Sequence, residues 1–117
     1  VGSEMCIRDR SDGQWARAKG FDSFCPLGPW IETELDTGDL SLVTRLDGQV
    51  VQDGRTANMT HDVAALVAYV SQAFTLLPGD VILTGTPAGV GPVTHGQRVE
   101  VEIEGIGILS NPFIRRD

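Results

Sequence analysis

The sequence predicts a mainly β fold with one helix (α+β), and three observations carry that prediction. Asp47-Gly48 sits between two runs rich in apolar residues, residues 98–104 alternate strictly, and one apolar stripe at three- and four-residue spacing runs from Val63 to Phe74. Asp-Gly is a strong hairpin signal, because a type I′ turn needs positive φ at both central positions. A period of two marks a half-buried strand and a period of 3.6 an amphipathic helix.

At 117 residues the chain is one domain or part of one, and its 41% hydrophobic content predicts a packed core. The net charge of -7, from 16 acidic and 9 basic residues, argues against a sequence-independent nucleic-acid binder, which needs a basic stripe. No apolar run approaches the roughly 18 residues of a membrane span, and the start lacks a signal-peptide core, so a cytoplasmic protein is expected. Two cysteines make no disulfide framework, and Cys25, between Phe24 and Pro26, reads as a buried free thiol.

Taken in order, residues 1–10 have neither helical nor strand periodicity, and EMCIRDR resembles a translated sequencing adapter. The natural protein is expected to enter near Ser11, with residues 11–117 as a fragment whose upstream part is missing. Residues 14–30 hold too many Gly and Pro for a helix and too many aromatics for a linker. They predict an irregular, packed segment anchored by Trp15, Phe21, Phe24 and Trp30. Lys19 there is either a snorkelling surface side chain or a cation over an anionic site.

Residues 40–46 and 49–52 are the two hairpin strands. A polar link leads to Thr60 as the expected N-cap of a helix that carries Val63, Leu66, Val67, Val70, Ala73 and Phe74 and stops at Leu77-Pro78-Gly79. His61, at the helix entrance, reads as a capping or solvent contact, with catalysis the lesser alternative. Val81 to Leu83 follow a turn signal and predict a short buried strand. It empties into a loop of Gly, Thr and Pro, residues 84–92, which either holds a small ligand against its backbone or only connects strands. Residues 98–104 place Val99, Val101 and Ile103 on one face of a strand and Glu100, Glu102 and Glu104 on the other, a solvated row rather than a metal cluster. Gly105-Ile106-Gly107 then turns the chain into a last strand, residues 108–113.

Four blocks of this sequence resemble the fumarylacetoacetate hydrolase family. They are QWARAKGFD at residues 14–22, PLGP at 26–29, PGDVILTGTPAGVG at 78–91 and IEGIG at 103–107, of which the third is the most specific. The resemblance covers essentially residues 11–113 and implies a β-roll enzyme acting on 2-oxo acids and 1,3-dicarbonyl compounds. Acylpyruvate, fumarylacetoacetate and 2-hydroxyhepta-2,4-diene-1,7-dioate are substrates of that type. The reactions implied are carbon–carbon hydrolysis, decarboxylation or isomerisation, in aromatic or organic acid catabolism and in a homodimer. It also implies Mg2+ or Mn2+, held by a Glu-x-Glu pair and a later aspartate, ligands that oxygen-loving ions favour. Those acids are expected upstream of the region matching Gln14, so no metal ligand is assigned within this chain, which alone is expected to be nearly inactive. By the same resemblance Lys19 and Thr86 are catalytic, and Ser23, Gly85 and Pro87 bind substrate. A non-catalytic β-domain whose Gly/Pro loop binds a partner is the alternative. A phosphate cradle is weaker, because no Gly-Lys-Ser/Thr ending follows the loop.

Overall fold

Asp47 has φ 49° and Gly48 φ 82°, the two positive angles of a type I′ turn. In the computed structural model, which describes residues 20–114, this turn joins β1 (Ser41–Leu46) to β2 (Gln49–Arg55) as an antiparallel pair. The turn is also tied sideways. The Asp47 carboxylate accepts from the Arg98 backbone N–H at 2.8 Å and the Gln97 carboxamide at 3.0 Å, so the hairpin tip anchors the start of β3 (Arg98–Ile103).

β1 pairs with β3, and β3 with β4 (Gly107–Pro112), giving one antiparallel sheet of order β2-β1-β3-β4. β2 extends past its expected end at Gln52 to Arg55, because Asp53, Gly54 and Arg55 find ladder partners in Val43, Leu42 and Ser41. The β1–β2 register shifts once. Thr44 faces Gln52 and Arg45 faces Val50, leaving Val51 as the extra residue of a β-bulge.

Between β2 and β3 the chain makes a 3-10 turn, Thr56–Asn58, then helix α1 (Val63–Ala73). The N-cap is Asp62 and not Thr60: its carboxylate accepts from the Ala65 N–H at 2.7 Å, three residues on, the reach that caps a first turn. Val63, Leu66 and Val70 of the stripe are half-buried, whereas Phe74 is 70% exposed.

The fold class is as the sequence predicts, a mostly antiparallel sheet with a single helix. Three packing expectations are overturned. Residues 81–83 form no strand. A tight turn precedes them, with Asp80 N–H donating to the Leu77 carbonyl and the Asp80 carboxylate accepting from Leu77 N–H. They pair with neither edge strand of the sheet, β2 or β4, and Val81 and Leu83 stand 54% and 64% exposed. The aromatic segment is irregular and only partly packed, with Phe24 half-buried. Phe21 and Trp30 are exposed, although the Phe21 and Phe24 rings meet in a tilted contact with centroids 5.4 Å apart. Trp15 lies outside the described residues. Cys25 is exposed, not buried, just past the turn that the Phe24 N–H closes on the Phe21 carbonyl. The core is correspondingly thin: Leu40 and Phe113 are the buried apolar side chains among the described residues, and none is fully enclosed.

Candidate functional site

The Gly/Thr/Pro loop, residues 84–92, is fastened to β2 by three consecutive kinds of contact. The Gln52 carboxamide nitrogen donates to Thr86 Oγ1 at 2.8 Å and to the Pro87 carbonyl oxygen at 2.9 Å. Pro87 packs over Gly54, where an added Cβ would lie 3.2 Å from its ring. Gly89, at φ 102°, crosses the bulge so closely that any Cβ would collide with the Val51 carbonyl oxygen. The glycine is therefore required twice over, by angle and by space.

This fastening leaves Thr86 exposed at the loop surface while its neighbour Pro87 is half-buried. Gly85, beside it, has φ 102° and, among the described residues, no atom near its missing side chain, so they leave the backbone there open to approach. A hydroxyl that accepts one hydrogen bond keeps its own hydrogen to donate. No residue of the loop is ionisable. It can offer neutral hydrogen bonds to a ligand oxygen, but neither a proton-transfer group nor a charged metal ligand.

Of the residues expected at the site, the structure brings Gly85, Thr86 and Pro87 together on this loop. Ser23 lies elsewhere, exposed in the turn closed by the Phe24 N–H to Phe21 carbonyl bond, with φ 65°. The segment that follows it is fixed at the opposite edge of the sheet, where Gly28 faces Leu109 and Trp30 covers Gly107 of β4. Lys19 lies outside the described residues, as do residues 1–10 with their expected non-native leader. Gln52 is the residue that sequence reasoning missed. It stands at the end of a predicted strand, and nothing in the sequence reveals the bulge that aims it.

The acidic residues do not gather. Glu102 pairs with Arg45 at 2.7 Å, Glu100 accepts from Ser110, and Glu104 accepts from the Ser41 backbone N–H. Each of these three glutamates thus has its own partner on a neighbouring strand. At the far end of β2, Arg55 holds Asp39 at 2.6 Å, and this hydrogen bond lowers the Asp39 carboxyl below its ordinary value and raises Arg55 above its own. Among the described residues no three His, Cys, Asp or Glu side chains converge as a metal site. The described residues therefore do not fit the divalent ion that the resemblance implies. Among them no helix is long and apolar enough to cross a membrane.

Comparison with known proteins adds what the geometry cannot. The family model described as "Fumarylacetoacetate (FAA) hydrolase C-terminal" matches residues 1–114. The structure superposes on that of 2-hydroxyhepta-2,4-diene-1,7-dioate isomerase from Mycobacterium marinum with a TM-score of 0.91 at 57% identity, covering 95% of this chain and 44% of that one. A maleylpyruvate hydrolase from Sphingobium sp. SYK-6, solved with manganese(II) and pyruvate, matches with a TM-score of 0.83 at 34% identity, over 91% of this chain and 41% of the other. The human mitochondrial oxaloacetate tautomerase FAHD2A is 44% identical over 128 residues, 97% of this chain and 41% of its own length. The chain spans about half the length of the curated relatives it matches, 46% and 47% of the first two.

Proposed function

The chain belongs to the fumarylacetoacetate hydrolase family, and on that premise we propose that the whole protein is a metal-dependent hydrolase, decarboxylase or isomerase of 2-oxo acids or 1,3-dicarbonyl compounds. Its relatives include an isomerase, a hydrolase and a tautomerase, whose named reactions share an enolisable oxo-acid skeleton. In this reading the present chain supplies the substrate-holding loop. Thr86 donates a hydrogen bond to a substrate carboxylate or carbonyl oxygen, and Gly85 and Pro87 shape the surface on which that oxygen rests. Lys19 adds a cation to these contacts, whereas Ser23, on the segment that leads to the β4 edge of the sheet, stands apart from the loop in this chain. A donor already aimed at an oxygen that gains negative charge stabilises the transition state without reorganising.

The observation that carries the reading is the exposed Thr86 hydroxyl on a loop pinned to β2, with its acceptor lone pair engaged by Gln52. The acids that hold a divalent ion, magnesium or manganese, come in this reading from outside the described residues, since those do not gather into a site. A homodimer is implied by the resemblance alone, and sedimentation of the whole protein checks it.

The test is turnover by the whole protein, with manganese, of acetylpyruvate (hydrolysis) and of oxaloacetate (decarboxylation and tautomerisation). Metal-dependent turnover of at least one, lost on chelation, is the expected result. A manganese-loaded protein inert towards every one of these reactions would overturn the proposal.

A further inference from the structure

Gln52 stands out because both hydrogens of its carboxamide are committed to one loop. A carbonyl oxygen only accepts hydrogen bonds, so the Pro87 carbonyl forces the Gln52 nitrogen, and not its oxygen, to face the loop. The same nitrogen lies 2.8 Å from Thr86 Oγ1, which must then accept. The Thr86 hydrogen is thereby directed away from β2. The bulge at Val51 sets this geometry, since it puts Gln52 opposite Thr44 while Gly89 seats on the Val51 carbonyl.

We propose that Gln52 is a positioning residue of the substrate site, fixing the Thr86 hydroxyl as an outward hydrogen-bond donor towards an anionic oxo-acid oxygen. The inference rests on the reading of Thr86 as a substrate contact, but it concerns the polarity of that contact. Any residue of similar shape would support the loop. Only a side chain that donates leaves the hydroxyl hydrogen free. A carboxylate at position 52 would reverse the arrangement, because Thr86 would donate inward to it and present lone pairs to the anion.

The experiment is titration of pyruvate into the manganese-loaded whole protein for wild type, Gln52→Ala, Gln52→Glu, Thr86→Ala and the double variant Gln52→Ala/Thr86→Ala, with the unfolding midpoint of each. Loss of one hydrogen bond to a charged ligand weakens binding by about tenfold. Gln52→Ala and Thr86→Ala should each show that loss. The double variant should lose about tenfold also, not the roughly hundredfold of independent sites. Gln52→Glu, the same shape without a donor, should lose at least as much at neutral pH. Its ratio to wild type should narrow towards pH 4.5, near the ordinary glutamic acid value of about 4.3, where a protonated carboxyl donates again. Independent losses in the double variant, or wild-type affinity in Gln52→Glu, would overturn the role of Gln52 while leaving Thr86 as a substrate contact. Wild-type affinity in Thr86→Ala would overturn the Thr86 reading itself, and the inference with it.

Discussion

Gly89 and Thr86 lie three residues apart on one loop, and the structure asks opposite things of them. Gly89 has no room for a side chain and a φ of 102° that L-residues resist, so Gly89→Ala should cost about 1–3 kcal/mol and displace the loop. Urea unfolding measures the first, and an unchanged midpoint would show that the loop does not press on the bulge. Thr86 is exposed, and the hydrogen bond it accepts from Gln52 is open to solvent. Thr86→Ala should therefore stay within about 0.5 kcal/mol of wild type in stability while turnover falls. A lowered midpoint with unchanged turnover would make the hydroxyl structural. Thr86 was singled out in the sequence by the family resemblance alone, since Thr84 offers a second hydroxyl in the same loop. Gln52 was not, because its role depends on a bulge created by pairing with β1, a non-local fact that no local spacing encodes.

At the scale of elements, the hairpin was readable because Asp47-Gly48 states its own turn type, and the alternation of residues 98–104 states which face of β3 is apolar. The strand expected at residues 81–83 failed for a physical reason. A short apolar run after a turn has the propensity for a strand but carries no information about whether a ladder edge is free to receive it. The helix cap slipped by two residues because Thr60 and Asp62 are both good caps, and only the Ala65 N–H decides between them. Asp62→Ala should cost about 1 kcal/mol, read as a loss of thermal stability, whereas Thr60→Ala should cost far less. If the two variants unfold together, the cap assignment is wrong. The Asp39–Arg55 pair adds a pH dependence. Its hydrogen bond lowers the Asp39 carboxyl, so its contribution is present above the unfolded-state value of about 3.9 and is lost as pH falls through the lower folded value. Both partners are well exposed, and the effect is small and screened by salt. Stability of Asp39→Asn should fall less steeply than wild type below about pH 4, and identical acid limbs would remove the pair from the account.

For the molecule as a whole, the apolar content foretold a core that the described residues do not make among themselves. Ile31 at 90%, with Phe74, Leu77, Leu83 and Val90, leaves apolar side chains exposed instead, and such surface favours self-association where it is contiguous. The 117-residue chain on its own should bind a hydrophobic dye strongly and self-associate at micromolar concentration. A monomer that leaves the dye dark would contradict that. The account's central claim is a division of labour: this chain holds the substrate oxygen through Thr86, and residues outside 20–114 hold the metal. A crystal structure of the whole protein with manganese and pyruvate tests it most directly. It should show Thr86 Oγ1 within about 3 Å of a pyruvate oxygen, with every protein ligand of the ion outside residues 20–114. Pyruvate seated away from the loop, or an ion ligated by a residue of 20–114, would contradict it.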